Sequence, residues 1–139
     1  MPAMRVSAKV DYALRAMVEL AVAPPGLTTA EQLASAQRIP PKFLESILSQ
    51  LRSAGLVASQ RGAVGGYQLA RPAEEISVAD VIRELEGPIA TVRGERPDDL
   101  EYEGAAEGLR DVWLDLRTQI RGVLEQTTLA DLVHKTLNG

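Results

Sequence analysis

Residues 40–72 read PPKFLESILSQLRSAGLVASQRGAVGGYQLARP, an amphipathic helix, a glycine stop, and two short strands around a glycine-rich turn. From Phe43 the apolar residues fall at Phe43, Leu44, Ile47, Leu48 and Leu51, a stripe at helical period. Pro40 and Pro41 suit the helix start, where a missing N–H costs nothing. Gly55 supplies the left-handed residue that closes a helix, and Leu56 behind it can pack back on the last turn. The opposite face carries Lys42, Glu45, Ser46, Ser49, Arg52 and Ser53. These short or cationic groups suit hydrogen bonding to base edges and phosphates, and they equally describe a solvated helix face. Residues 56–60 and 67–71 are strand-like, and Gly62, Gly65 and Gly66 permit the positive φ angles of a tight turn. A helix followed by such a hairpin is the element order of a winged helix, whose helix enters a DNA groove while the hairpin reaches the adjacent backbone. Arg61, where the turn begins, fits a minor groove.

The flanking segments complete a domain. Ser7 caps a first helix with Val10, Ala13, Leu14, Met17, Val18 and Ala21 on its apolar face, ended by Pro24, Pro25 and Gly26. Thr28, with Glu31 three residues on, predicts a capping box for a short second helix containing Leu33 and Ala34. The turn into the next helix is Ala36-Gln37-Arg38-Ile39; a left-handed Arg38 would cost about 1–2 kcal/mol. Ser77 and Asp80 cap a further helix with Val78, Val81, Ile82 and Leu85 on one face, stopped by Gly87 and Pro88.

The chain has 139 residues, enough for one domain or one domain plus an oligomerisation element. No apolar run reaches the roughly 18 residues of a membrane span, and no secretory leader is evident, so a cytoplasmic location is expected. Met1-Pro-Ala precedes a second plausible start at Met4. With no cysteine and a single histidine, His134, the usual nucleophile sets cannot be assembled, and there is no P-loop. An enzyme is not expected, nor any metal or cofactor, and His134 reads as solvated surface. The net charge of −4 is unevenly spread. Residues 1–72 carry eight Lys/Arg against four Asp/Glu, +4, and the remainder seven against fifteen, −8. A cationic N-terminal half favours phosphate despite the acidic total.

In the C-terminal third, Leu109, Val112, Trp113, Leu116, Ile120, Val123 and Leu124 form a seam along a long helix whose other side is charged. That helix either folds back on its own domain or pairs with a second copy. Pairing is favoured, because a dimer doubles the DNA contacts. Thr128 and Asp131 begin a last helix with Leu129, Leu132, Val133 and Leu137. The expected organisation is mainly α with a small β-hairpin wing: a winged helix-turn-helix DNA-binding domain at 1–88, a charged loop at 89–104, and a dimerisation helix with a short terminal helix at 105–139.

Nine motifs strengthen this reading: MRVS from Met4, DYALR from Asp11, FLE from Phe43, LRSAGLV from Leu51, RGAVGGY from Arg61, LARP from Leu69, VADVIR from Val78 with EGP from Glu86, LRDVW from Leu109 and TLADL from Thr128. Together they resemble the Rrf-two family of bacterial winged-helix regulators, in order and over nearly the whole chain. That resemblance implies that the third helix reads the major groove, with Lys42, Phe43, Glu45 and Ser46 approaching DNA. It makes Arg61 the minor-groove residue, and a helix from about Ala105 to Gln126 the homodimer contact. Cluster-binding members carry three cysteines before the dimerisation helix, and in some members an acid on the partner's first helix joins them. Here Asp11 occupies the acid position, but no thiolate exists to hold an iron–sulfur cluster. Asp11 reads instead as a first-turn acid favoured by the helix dipole. The loop between Gly87 and Gly104 is charged enough to be mobile, either a site for a small effector or partner protein or a solvated linker. The functional expectation is a homodimeric, sequence-specific regulator of double-stranded DNA, a repressor at a palindromic promoter site. The alternative is a winged-helix protein-interaction adaptor without DNA binding.

Overall fold

A computed structural model describes residues 6–62 and 65–138, with side chains as far as Lys135. Met1 to Ala3, Met4 and Arg5 of the first motif, Ala63 and Val64 of the hairpin turn and the side chain of Leu137 lie outside the described residues. The elements in chain order are α1 (Ala8–Val22), α2 (Ala30–Gln37), α3 (Pro41–Ser53), β1 (Val57–Gln60), β2 (Gly66–Leu69), α4 (Val78–Glu86), α5 (Leu109–Gln126) and α6 (Leu129–Asn138). The protein is mainly helical with one antiparallel hairpin, the winged-helix order expected from the sequence.

Local chemistry sets most helix ends. The Ser7 hydroxyl accepts from the Val10 N–H at the start of α1. Ser77 with Asp80, and Thr128 with Asp131, each satisfy two orphan N–H groups reciprocally. At the end of α3, Gly55 takes φ 79°, its N–H donates to the Arg52 carbonyl, and the Leu56 N–H donates to Leu51. Both bonds are those of a Schellman stop, and Leu56 is buried behind them. Arg38 closes α2 at φ 54°, a left-handed residue that is not glycine.

The second helix corrects one expectation. Its capping box is Thr29 with Gln32, not Thr28 with Glu31. Thr28 is engaged elsewhere: it exchanges both backbone hydrogen bonds with Tyr67, at 2.9 and 2.7 Å. Thr28 thereby lies against β2 as a third, single-residue rung beside the β1–β2 pair. Gly66 makes this approach feasible, because a Cβ there would stand 2.7 Å from the Thr28 carbonyl oxygen. The strands are 57–60 and 66–69, slightly offset from the expected 56–60 and 67–71.

The core gathers α1, α2, α3, α4 and the root of the hairpin, with Met17, Leu33, Leu44, Ile47, Leu48, Leu51 and Ile76 fully buried. Ala16 and Leu20 join the inner face of α1, while Leu14, Val18 and Ala21 lie at its edge. Leu129 of α6 is buried in the same cluster. Two backbone bonds, Val78 N–H to Thr127 and Leu129 N–H to Ile76, tie the α5–α6 junction to the start of α4.

The charged segment before α5 is in part docked on that helix. Its residues 97–102 lie against α5. Asp98 accepts from both terminal nitrogens of Arg117, at 2.9 and 3.0 Å, and the Asp98 carbonyl accepts from Arg110. Trp113 Nε1 donates to the Tyr102 hydroxyl at 2.9 Å, and Pro97 and Leu100 are buried. The long helix begins at Leu109, not Ala105, because residues 104–106 form a 3₁₀ turn.

Candidate nucleic-acid interface

The third helix presents two unlike sides. Leu44, Ile47, Leu48 and Leu51 are at most 1% exposed, so the core fixes the rotation of the helix. Lys42, Glu45, Ser46, Ser49, Arg52 and Ser53 consequently face solvent. Phe43, which the apolar stripe placed inward, is 41% exposed and stands on the polar side. Its position follows from helix geometry: Leu44, Ile47, Leu48 and Leu51 define the buried arc, and residue 43 lies at its margin.

Phe43 is held from one side. Its ring meets Tyr12 of α1 edge-on, with centroids 5.5 Å apart and planes at 80°. The Arg15 guanidinium lies over the Tyr12 ring at 4.8 Å. Arg15 also donates to Asp11 at 2.7 Å and to the Gln37 carbonyl at 3.2 Å, at the last residue of α2. Asp11 is thus the i, i+4 partner of Arg15 in the first turn of α1. Beyond the i, i+4 spacing of Asp11 and Arg15, the sequence offered no signal for this cluster, since it joins α1, the α2 terminus and α3 across the fold.

The hairpin stands next to the exit of α3. Arg52 Nη1 donates to the Ser59 hydroxyl of β1 at 3.3 Å, linking helix and wing. Arg61 follows β1 directly and is exposed. Lys42, Phe43, Glu45, Ser46 and Ser49 therefore share one exposed helix face, with Arg52 toward the wing and Arg61 on it. This polar helix face beside an exposed hairpin arginine contains no catalytic constellation.

The predicted seam on α5 is divided. Leu109, Val112, Leu116 and Val123 point outward, at 41, 55, 49 and 67% exposure. Trp113, Ile120 and Leu124 are half-buried on the side that carries Arg117 and the Tyr102 bond. His134 is exposed on α6. Among the described residues no helix is long and apolar enough to cross a membrane.

The sequence profile of the Rrf2 family, described as an iron-dependent transcriptional regulator, matches residues 6–135. A Mycobacterium tuberculosis protein provisionally named an HTH-type transcriptional regulator is 55% identical over 130 residues, covering 93% of this chain and 81% of that protein. The Bacillus subtilis HTH-type transcriptional regulator CymR is 40% identical over 134 residues, covering 96% of this chain and 92% of CymR. Among solved structures, B. subtilis CymR, the global cysteine regulator, superposes with a TM-score of 0.82 at 39% identity, covering 96% of this chain and 98% of that one. T. potens IscR gives 0.77 at 35% identity, covering 96% and 89%. The iron in the family description finds no fit here. The sequence has no cysteine, and among the described residues no three His, Asp or Glu side chains are grouped so that they could hold a metal ion. Asp98, in the segment before α5, is already committed to Arg117. The chain belongs to the Rrf2 family of winged-helix transcriptional regulators, as a member without the thiolates that an iron–sulfur cluster requires.

Proposed function

We propose that this regulator binds double-stranded DNA as a homodimer, without a cluster, and represses transcription by occupying a promoter in the cytoplasm. The observation that carries this reading is the exposed face of α3, rotationally fixed by a fully buried stripe and flanked by the exposed Arg61. Lys42, Glu45, Ser46 and Ser49 would read base edges in the major groove, Arg52 would meet phosphate, and Arg61 would enter the flanking minor groove. Two copies joined through Leu109, Val112, Leu116 and Val123 would place two such helices about one helical turn apart, roughly 34 Å, on a palindromic site. The outward apolar residues on α5 support pairing, because their spacing of 3, 4 and 7 follows a coiled-coil seam and their own chain leaves them about half exposed. A small effector or partner protein acting on residues 89–104 would regulate binding, since that segment joins the reading head to α5.

The test is fluorescence anisotropy of the purified protein with the promoter upstream of its own gene, across a salt series. A specific complex whose affinity falls steeply with salt is the expected result. A folded dimer with no salt-dependent affinity would reject the DNA reading in favour of a protein-interaction adaptor.

A further inference from the structure

We propose that Phe43 is a reader of thymine methyl groups, and that Tyr12 and Arg15 position it. The inference rests on the DNA-binding reading above and names the chemistry of one contact within it. Phe43 lies in the first turn of α3, whose start is Pro41. The N-terminal residues of a recognition helix are those that reach base edges. An exposed phenylalanine on an otherwise polar face has no hydrogen bond to offer, so it contributes to recognition only by apolar contact. In the major groove the one apolar group on a base edge is the thymine 5-methyl.

The bracing explains how so soft a contact becomes selective. Phe43 packs edge-on against Tyr12, and Arg15 covers the Tyr12 ring. Arg15 is itself fixed by Asp11 on α1 and by the Gln37 carbonyl at the end of α2. The aromatic pair is thus anchored to both helices that frame α3, and Phe43 meets the groove from a set position. Lys42 and Glu45 beside it supply the polar half of the readout, the lysine donating to acceptors and the glutamate accepting from amino groups.

The experiment starts from a duplex enriched out of a random-sequence pool by the full-length protein. Each thymidine is then replaced singly by deoxyuridine, which removes only the methyl. The wild type should lose about fourfold in affinity at one position per half-site, the effect expected of one buried methyl. Phe43→Ala should bind more weakly and become indifferent to the exchange at that position. Tyr12→Ala should blunt the methyl effect while Tyr12→Phe preserves it, a pattern that general loss of stability would not produce. Enrichment of a duplex in which no exchange matters, or a Phe43→Ala protein that still discriminates, would overturn the assignment and leave DNA binding intact. A folded protein that enriches no duplex would take down the DNA reading and this contact together.

Discussion

Two helices of this protein carry amphipathic sequences of similar strength, and the fold treats them oppositely. Apart from Phe43, the apolar stripe of α3 disappears into the core, with Leu44, Leu48 and Leu51 at 0% exposure. The stripe of α5 divides: half lies against its own chain, and Leu116 and Val123 remain about half to two-thirds open. Periodicity therefore identifies a face to be covered without saying what covers it. The difference matters for function. A helix locked by its own domain presents its other side reproducibly, whereas a helix left open keeps part of its apolar face in solvent.

Paired substitutions break this comparison most sharply. Leu48→Ala should cost about 2–5 kcal/mol of folding stability, because it opens a cavity in a closed core. Leu116→Ala should leave the stability of the dilute chain within about 0.5 kcal/mol of wild type. Leu116→Asp, which sets a charge in the proposed seam, should convert dimers to monomers by light scattering and weaken operator binding with them. A variant that remains dimeric would place the subunit contact elsewhere. Arg61→Ala tests the reading head instead of the seam. It should lower DNA affinity by about 1–3 kcal/mol in titrations, most at A·T-rich flanks, with dimerisation untouched.

What could be read from the sequence, and what could not, follows the same division between local and remote causes. The caps at Ser7, Ser77 and Thr128 and the stop at Gly55 were legible, because each is decided within a few residues. The capping box of α2 was misplaced by one position. Both Thr28 and Thr29 have a suitable partner three residues on, and Tyr67, far along the chain, takes Thr28 for the sheet. Residues 89–104 looked mobile because their charges suggest solvation. Asp98 and Tyr102 within them are nonetheless held by Arg110, Trp113 and Arg117 on α5, contacts that composition does not reveal. Within the candidate interface the polar residues of α3 followed from the helical repeat. The aromatic brace on Phe43 did not, since it depends on how α1 crosses α3.

The segment held against α5 offers a smaller, pH-dependent effect. Hydrogen bonding from Arg117, aided by the charges of Arg117, Arg96 and Arg110, holds the Asp98 carboxyl below its ordinary value of 3.8. A depressed folded-state pKa stabilises docking above the unfolded value, and that contribution is lost as pH falls through the folded one. Docking should therefore be unchanged from pH 8 to pH 5 and should loosen only below about pH 4. Trp113, the single tryptophan, reports it through its bond to Tyr102. Its emission should shift red in acid, and Asp98→Asn should show part of that shift at neutral pH with far-UV dichroism intact. An unshifted emission in that variant would mean that Pro97 and Leu100 hold the segment without the ion pair.

The smallest expected effect concerns two helix ends that solve one problem differently. Gly55 closes α3 in the left-handed region, where a residue without Cβ meets no penalty. Arg38 closes α2 in the same region with a full side chain, at a cost of about 1–2 kcal/mol in the folded state. Replacing it by glycine removes that strain but enlarges the freedom of the unfolded chain, which returns about 0.4–1 kcal/mol. Arg38→Gly should consequently raise stability by only about 0.5 kcal/mol, measurable in urea as a small increase in midpoint at constant slope. The same variant carries information about function, because Arg38 is exposed in the turn between α2 and α3. If it is more stable yet binds DNA less tightly, with a flatter salt dependence, the arginine is retained there for phosphate contact. If affinity is unchanged, the left-handed strain at the end of α2 has no counterpart in DNA binding.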